Sequence, residues 1–163
     1  MSALQTLSDV YLAQSRYADA EAVVTRALTV QENLLGSADP RLAPSLLIKL
    51  ARAQRLQGRD ADAERTLGRA LRIAQSAAPP IAPIGVLREM AELRRVRERW
   101  ADAEFYYRQV VVLFEAREPP EPVELASVLA SLADIVRRQG GRPGGHAAAR
   151  ACRRAGLDAI PAW

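Results

Sequence analysis

The residues able to carry chemistry are few. Three Asp-Ala-Glu triplets recur along the chain, Asp19 with Glu21, Asp62 with Glu64 and Asp102 with Glu104, and paired carboxylates are common equipment for general acid and base catalysis. The members of each pair stand two residues apart, however. On a helix that spacing sends the two side chains to nearly opposite sides, where they share neither a proton nor a substrate. In the first turn of a helix such carboxylates favour the positive end of its dipole by about 0.3 to 1 kcal/mol each, which is the role expected of them here.

The remaining candidates are weaker. His146 and Cys152 are the one histidine and one cysteine of the chain. Six residues apart, they fall on different faces of a helix and offer too few ligands for a structural zinc site. A single cysteine also forms no intramolecular disulfide. The segment GGRPGG (140–145) has no lysine followed by serine or threonine and does not leave a strand, so it reads as a turn and not as a phosphate cradle. No enzymatic activity, cofactor or metal is expected.

The elements that position these residues repeat. YADAEAVVTRAL (17–28), DADAERTLGRAL (60–71) and WADAEFYYRQVV (100–111) align without a gap, at spacings of 43 and 40 residues. A period of that length marks one supersecondary unit per repeat, stabilised by stacking on its neighbours. Within a unit, Leu4, Leu7, Ser8 and Tyr11 follow the i, i+3, i+4, i+7 spacing of one helical stripe, and Ala20, Val24, Ala27 and Leu28 form the stripe of a second helix. Each unit is therefore a helical hairpin. The short turns fall at Ser15-Arg16, Gln57-Gly58-Arg59 and Gln139-Gly140-Gly141, while prolines gather between hairpins, where a missing amide donor is tolerated. Helices are predicted at 3–14, 18–34, 41–57, 61–76, 84–97, 101–117, 123–138 and 146–158, with Asp39-Pro40 as a cap and first helical residue.

These hairpins, with small residues at their crossings, resemble the tetratricopeptide repeat, and the long period with LLGSADPRLAPSL (34–46) resembles the 42-residue variant of kinesin light chains. Leu4, Leu7, Tyr11, Tyr17, Ala20, Ala27 and Leu28 match the family pattern in the first unit. Leu47, Leu50, Ala51, Ala63, Leu67, Ala70 and Leu71 do so in the second, and Leu87, Met90, Ala91, Ala103, Tyr107 and Val110 in the third, with Gln54 and Arg94 replacing a tyrosine. The fourth unit opens with Leu129, Leu132, Ala133 and Val136 but closes weakly, with Gly156 where the others carry leucine or valine. The resemblance implies an all-α, right-handed superhelix of about four hairpins forming one array over 1–163. Its repeats run at 1–40, 41–83, 84–122 and a degenerate 123–163.

The resemblance also implies that the first helix of each hairpin lines a concave groove. In this sequence that groove includes Gln5, Asp9 and Leu12, then Arg52 and Arg55, then Arg88, Glu92 and Arg95, then Asp134, Arg137 and Arg138. Six arginines there face three acids, and the planar guanidinium fork matches carboxylates, so an acidic or extended peptide segment of another protein is the expected partner. The competing expectation is that arginines such as Arg52, Arg88 and Arg95 only form exposed pairs with neighbouring acids, worth about 0 to 1 kcal/mol each.

Other readings follow from the ends of the chain and its charge. Leu157, Ile160 and Trp163 form a candidate self-association edge, giving a homo-oligomer or a module of a larger signalling protein. RRVRER (94–99) raises RNA binding, but Glu89, Glu92 and Glu98 interleave with its arginines and the proposed groove has no aromatic stacking residues, so nucleic acid is not the expected partner. Of 23 basic residues only Lys49 is lysine, a bias that a GC-rich coding sequence accounts for. No stretch of about 18 uncharged apolar residues is present. The first five residues lack a basic-then-apolar secretory pattern, so a cytoplasmic location away from membranes is expected.

Overall fold

In the computed structural model the described residues are 2–36, 44–77, 83–116 and 122–140. They form α1 (Ser2–Ala13), α2 (Tyr17–Leu35), α3 (Pro44–Leu56), α4 (Asp60–Ser76), α5 (Ile84–Val96), α6 (Trp100–Glu115) and α7 (Pro122–Gly140), and among them there is no strand. The fold is all-α, built of helical hairpins, as expected. The chain divides into two compact units, Met1–Glu89 and Met90–Trp163. In the first, α1 packs on α2, α2 on α3 and α3 on α4, and in the second α6 packs on α7.

Proline sets the helix starts. Pro44 and Pro122 are first residues, where the missing donor costs nothing, and Pro83 precedes α5 while its carbonyl accepts from Leu87 at 2.9 Å. The expected cap at Asp39-Pro40 and the expected start of the third helix at 41 lie outside the described residues. The last described helix corrects the predicted boundary: α7 runs through Gly140, so Gln139 and Gly140 belong to the helix and not to a turn.

The three hairpin turns share one construction. Ser15, Gly58 and Glu98 occupy equivalent positions and adopt φ of 59°, 76° and 56°, the left-handed conformation that closes a helix. After each, an arginine amide bonds back five residues, Arg16 to Tyr11, Arg59 to Gln54 and Arg99 to Arg94, all at 2.9 Å. That arginine then reaches forward to an aspartate of the first turn of the next helix: Arg16 to Asp19 at 2.7 Å, Arg59 to Asp62 at 2.8 Å and Arg99 to Asp102 at 2.5 Å. The glutamate two residues on does something else. Glu21 accepts from Gln57 at 2.8 Å and Arg59 at 2.7 Å in the following hairpin, and Glu104 accepts from Gln139 of α7 at 2.8 Å. In the first and third pairs the carboxylates thus diverge, the aspartate fixing its own turn and the glutamate bonding to a later helix.

Small residues occupy the crossings. Ala20, Ala27, Ala51, Ala53, Ala63, Ala70, Ala91 and Ala103 are fully buried, which lets helix axes approach to about 8 to 10 Å. Leu47, Leu67 and Leu87, Tyr107 and Phe114 fill the space beside them. Gln54, in the place of a tyrosine, is buried with its side-chain oxygen accepting from the Thr66 hydroxyl at 2.9 Å. Phe105 and Tyr106 are half-buried, edge to face. At Gly85 any Cβ would come within 2.9 Å of Ile48 Cδ1, so glycine admits α3 at that point.

Two expectations about the core need correcting. Leu7 is exposed, and its counterparts Leu50 and Met90 are only half-buried, because this position lies at the margin of the stripe. In α7, Leu129 and Val136 are 45% and 46% exposed and Ala133 is exposed, while Val128 and Ile135 are buried. The first set matches Leu47, Ala51 and Gln54, which α3 buries in its hairpin with α4. The helix expected at 146–158, which would cover them, lies outside the described residues.

Candidate functional site

The first-helix residues beside the buried stripes carry most of the charge expected of a groove. In the first unit Lys49 of α3 donates to Asp9 Oδ2 of α1 at 2.6 Å and to the Gln5 carbonyl at 3.1 Å. Leu12 is half-buried. Arg55 donates through Nε and Nη2 to Glu89 Oε2 at 3.3 and 3.1 Å, and both side chains are largely shielded from water. Arg52 stands 3.9 Å from the other oxygen of Glu89 and is more than half exposed. Arg88 is exposed, with no side-chain partner found among the described residues. The polarity of these rungs reverses between neighbours: an acid of α1 meets a base of α3, then bases of α3 meet an acid of α5.

In the second unit Arg95 donates to Glu92 Oε2 at 3.0 and 2.6 Å, and its pKa is raised chiefly by that bond. The hydroxyl of buried Tyr107 donates to Glu92 Oε1. Burial, then this hydrogen bond, pushes the Tyr107 phenol well above the usual tyrosine range. Asp134 of α7 accepts from Arg138 at 2.8 Å and from Arg137, and these bonds hold its carboxyl below the usual carboxylate range. Arg138 also lies 5.3 Å over the Trp100 ring.

Of the six arginines expected to line a groove, Arg55, Arg95, Arg137 and Arg138 therefore have intramolecular carboxylate partners at hydrogen-bond distance, each within its own unit. Sequence reasoning placed Asp9 and Arg52 on this face but missed Lys49 and Glu89, their partners. The signal was present: Lys49 and Glu89 fall at equivalent positions one helical step from the groove stripe, with opposite charges. Gln57, tied to Glu21, was also missed. Leu157, Ile160, Trp163, His146 and Cys152 lie outside the described residues. Among those described, no group of three His, Cys, Asp or Glu side chains could hold a metal ion. None of the described helices is long and apolar enough to cross a membrane.

Comparison with known families matches residues 1–76, the first two hairpins, to the tetratricopeptide repeat. Over those residues the chain is thus similar, in sequence and in hairpin architecture, to a class of protein-interaction repeats that are generally non-catalytic. No curated protein matches the chain.

Proposed function

We propose that this chain is a non-enzymatic scaffold whose first-helix face takes an extended acidic segment of a partner protein. The observation that carries the reading is the imbalance of charge in the first unit. Lys49, Arg52, Arg55 and Arg88 share that face with only Asp9 and Glu89. Arg55 occupies Glu89 and Lys49 occupies Asp9, which leaves the guanidinium groups of Arg52 and Arg88 exposed and able to grip carboxylates in their planar fork. Acidic side chains or a C-terminal carboxylate suit this better than a nucleic acid, because the residues named on this face include no aromatic platform for bases.

The test is binding of a fluorescent oligoglutamate peptide, with oligolysine as control. Arg52→Ala with Arg88→Ala is expected to weaken the complex about tenfold, a loss of about 1.4 kcal/mol, while helicity stays unchanged because both side chains are exposed. Equal affinity of the double variant overturns the proposal. So does retention of labelled single-stranded RNA at about 0.15 M salt with no retention of the peptide.

A further inference from the structure

One face of the first hairpin is open although its counterpart in the second hairpin is closed. On α3, Leu46, Lys49 and Ala53 form a stripe that faces α1 and α2: Lys49 bonds to α1, and Leu46 and Ala53 are fully buried. On α4, Arg69 reaches Glu32 of α2 at 2.5 Å, and Ile73 one turn later is buried, as is Ala77. The positions 43 residues before Ala53, Ile73 and Ala77 are Val10 on α1 and Val30 and Leu34 on α2. Val10 and Val30 are 45% exposed and Leu34 is 78% exposed. Apolar side chains in positions built for burial mark an interaction surface.

The polar groups around that surface select the occupant. The second hairpin holds α2 by two carboxylates: Gln57 and Arg59 bind Glu21, and Arg69 binds Glu32. Glu21 and Glu32 stand eleven residues apart, three helical turns, and so lie on one face of α2. The first hairpin repeats all three receptor groups, with Gln14, Arg16 and Arg26 at the positions of Gln57, Arg59 and Arg69. Arg16 also repeats the division of labour seen at Arg59. Arg59 gives Nε to Asp62 of its own turn and Nη1 to Glu21 of its neighbour, and Arg16 gives Nε to Asp19 in the same way, with the side chain half exposed.

A second copy of the same face is a poor occupant. The three carboxylates of α2, Asp19, Glu21 and Glu32, are engaged by Arg16, Arg59 and Arg69 within the chain, so a two-fold contact would crowd cations without acids to meet them. We propose that the outer face of the α1–α2 hairpin docks an amphipathic helix of a partner protein, one that carries two carboxylates eleven residues apart beside an apolar stripe. Arg16 with Gln14 takes the first carboxylate, Arg26 takes the second, and Val10, Val30 and Leu34 receive the stripe.

The probe is a fluorescent 19-residue peptide with the sequence of α2, residues 17–35, which has both carboxylates at the required spacing. Anisotropy with the full chain is expected to show saturable binding that Val10→Asp with Val30→Asp weakens at least about tenfold, with unchanged helicity because both residues are exposed. Arg26→Glu is expected to weaken binding similarly, and a peptide carrying Glu32→Arg to bind that variant better than it binds the parent chain, the signature of a direct pair. Arg52→Ala with Arg88→Ala leaves this binding unchanged, so the surface succeeds or fails separately from the acidic-peptide face. Absence of binding at millimolar peptide overturns the proposal. So do binding indifferent to the two aspartates, a charge swap without rescue, or a dimer of the chain that the two aspartates dissolve.

Discussion

Arg55 and Glu89 form an ion pair that water barely reaches, with side chains 11% and 13% exposed and two guanidinium donors converging on one carboxylate oxygen. The pair joins α3 to α5 within the first unit. Its members are therefore structural, whereas the neighbouring Arg52 and Arg88 are exposed.

Glu89→Ala strands the Arg55 charge in a shielded place, and a cost of about 2 to 3 kcal/mol in unfolding free energy is expected from urea denaturation. Arg52→Ala, at an exposed and looser contact, is expected to cost less than about 1 kcal/mol. Equal costs for the two variants contradict this division of labour.

The left-handed turn residues offer a second check. A non-glycine side chain in that conformation costs about 1 to 2 kcal/mol, partly offset by the greater freedom that glycine loses on folding. Ser15→Gly and Glu98→Gly are each expected to stabilise by about 0.5 to 1 kcal/mol, and Gly58→Ala to destabilise by about 1 kcal/mol. No atom lies within 4 Å of a Cβ added at Gly58, so that cost is conformational alone. A thermal melt reads all three.

Asp134 bears on acid stability. Its carboxylate is bound by Arg138 and Arg137 only in the folded chain, so its folded pKa lies below the unfolded one. The contribution is thus complete above the ordinary carboxylate range and is lost as pH falls through the folded value. Carbon-13 NMR of the carboxyl should give a midpoint below the ordinary aspartate value of 3.8, and Arg138→Ala should raise it more than Arg137→Ala.

At the alkaline end the sign reverses. Burial and the bond to Glu92 raise the Tyr107 pKa, so its stabilising contribution is complete below the unfolded tyrosine value and disappears as pH rises through the folded one. Ultraviolet difference absorbance should contain a late-ionising phenol that Tyr107→Phe removes. A titration unaltered by that substitution contradicts the buried hydrogen bond.

The fold was legible in the sequence because its determinants are periodic. Ala20, Ala63 and Ala103 sit at one place in a repeated pattern and all three are fully buried. The proposed peptide-binding face was legible only by position. Which arginines remain available depends on partners one hairpin away, such as Glu89 for Arg55, and contacts across 34 residues leave no local spacing to read. Glu21 is similar: its placement opposite Asp19 follows from helix geometry, but its bonds to Gln57 and Arg59 require the stacking of hairpins.

The reversal of charge between the Asp9–Lys49 and Arg52–Glu89 rungs gives the array a reading order. Skipping the second hairpin would bring Asp9 against Glu89, and copying it in tandem would set Arg52 against Lys49. Structurally similar modules are thereby made non-interchangeable: each accepts its proper successor and repels a misplaced one. A chain whose repeats are alike enough to mispair during folding carries, in four side chains, a check on its own sequence of assembly.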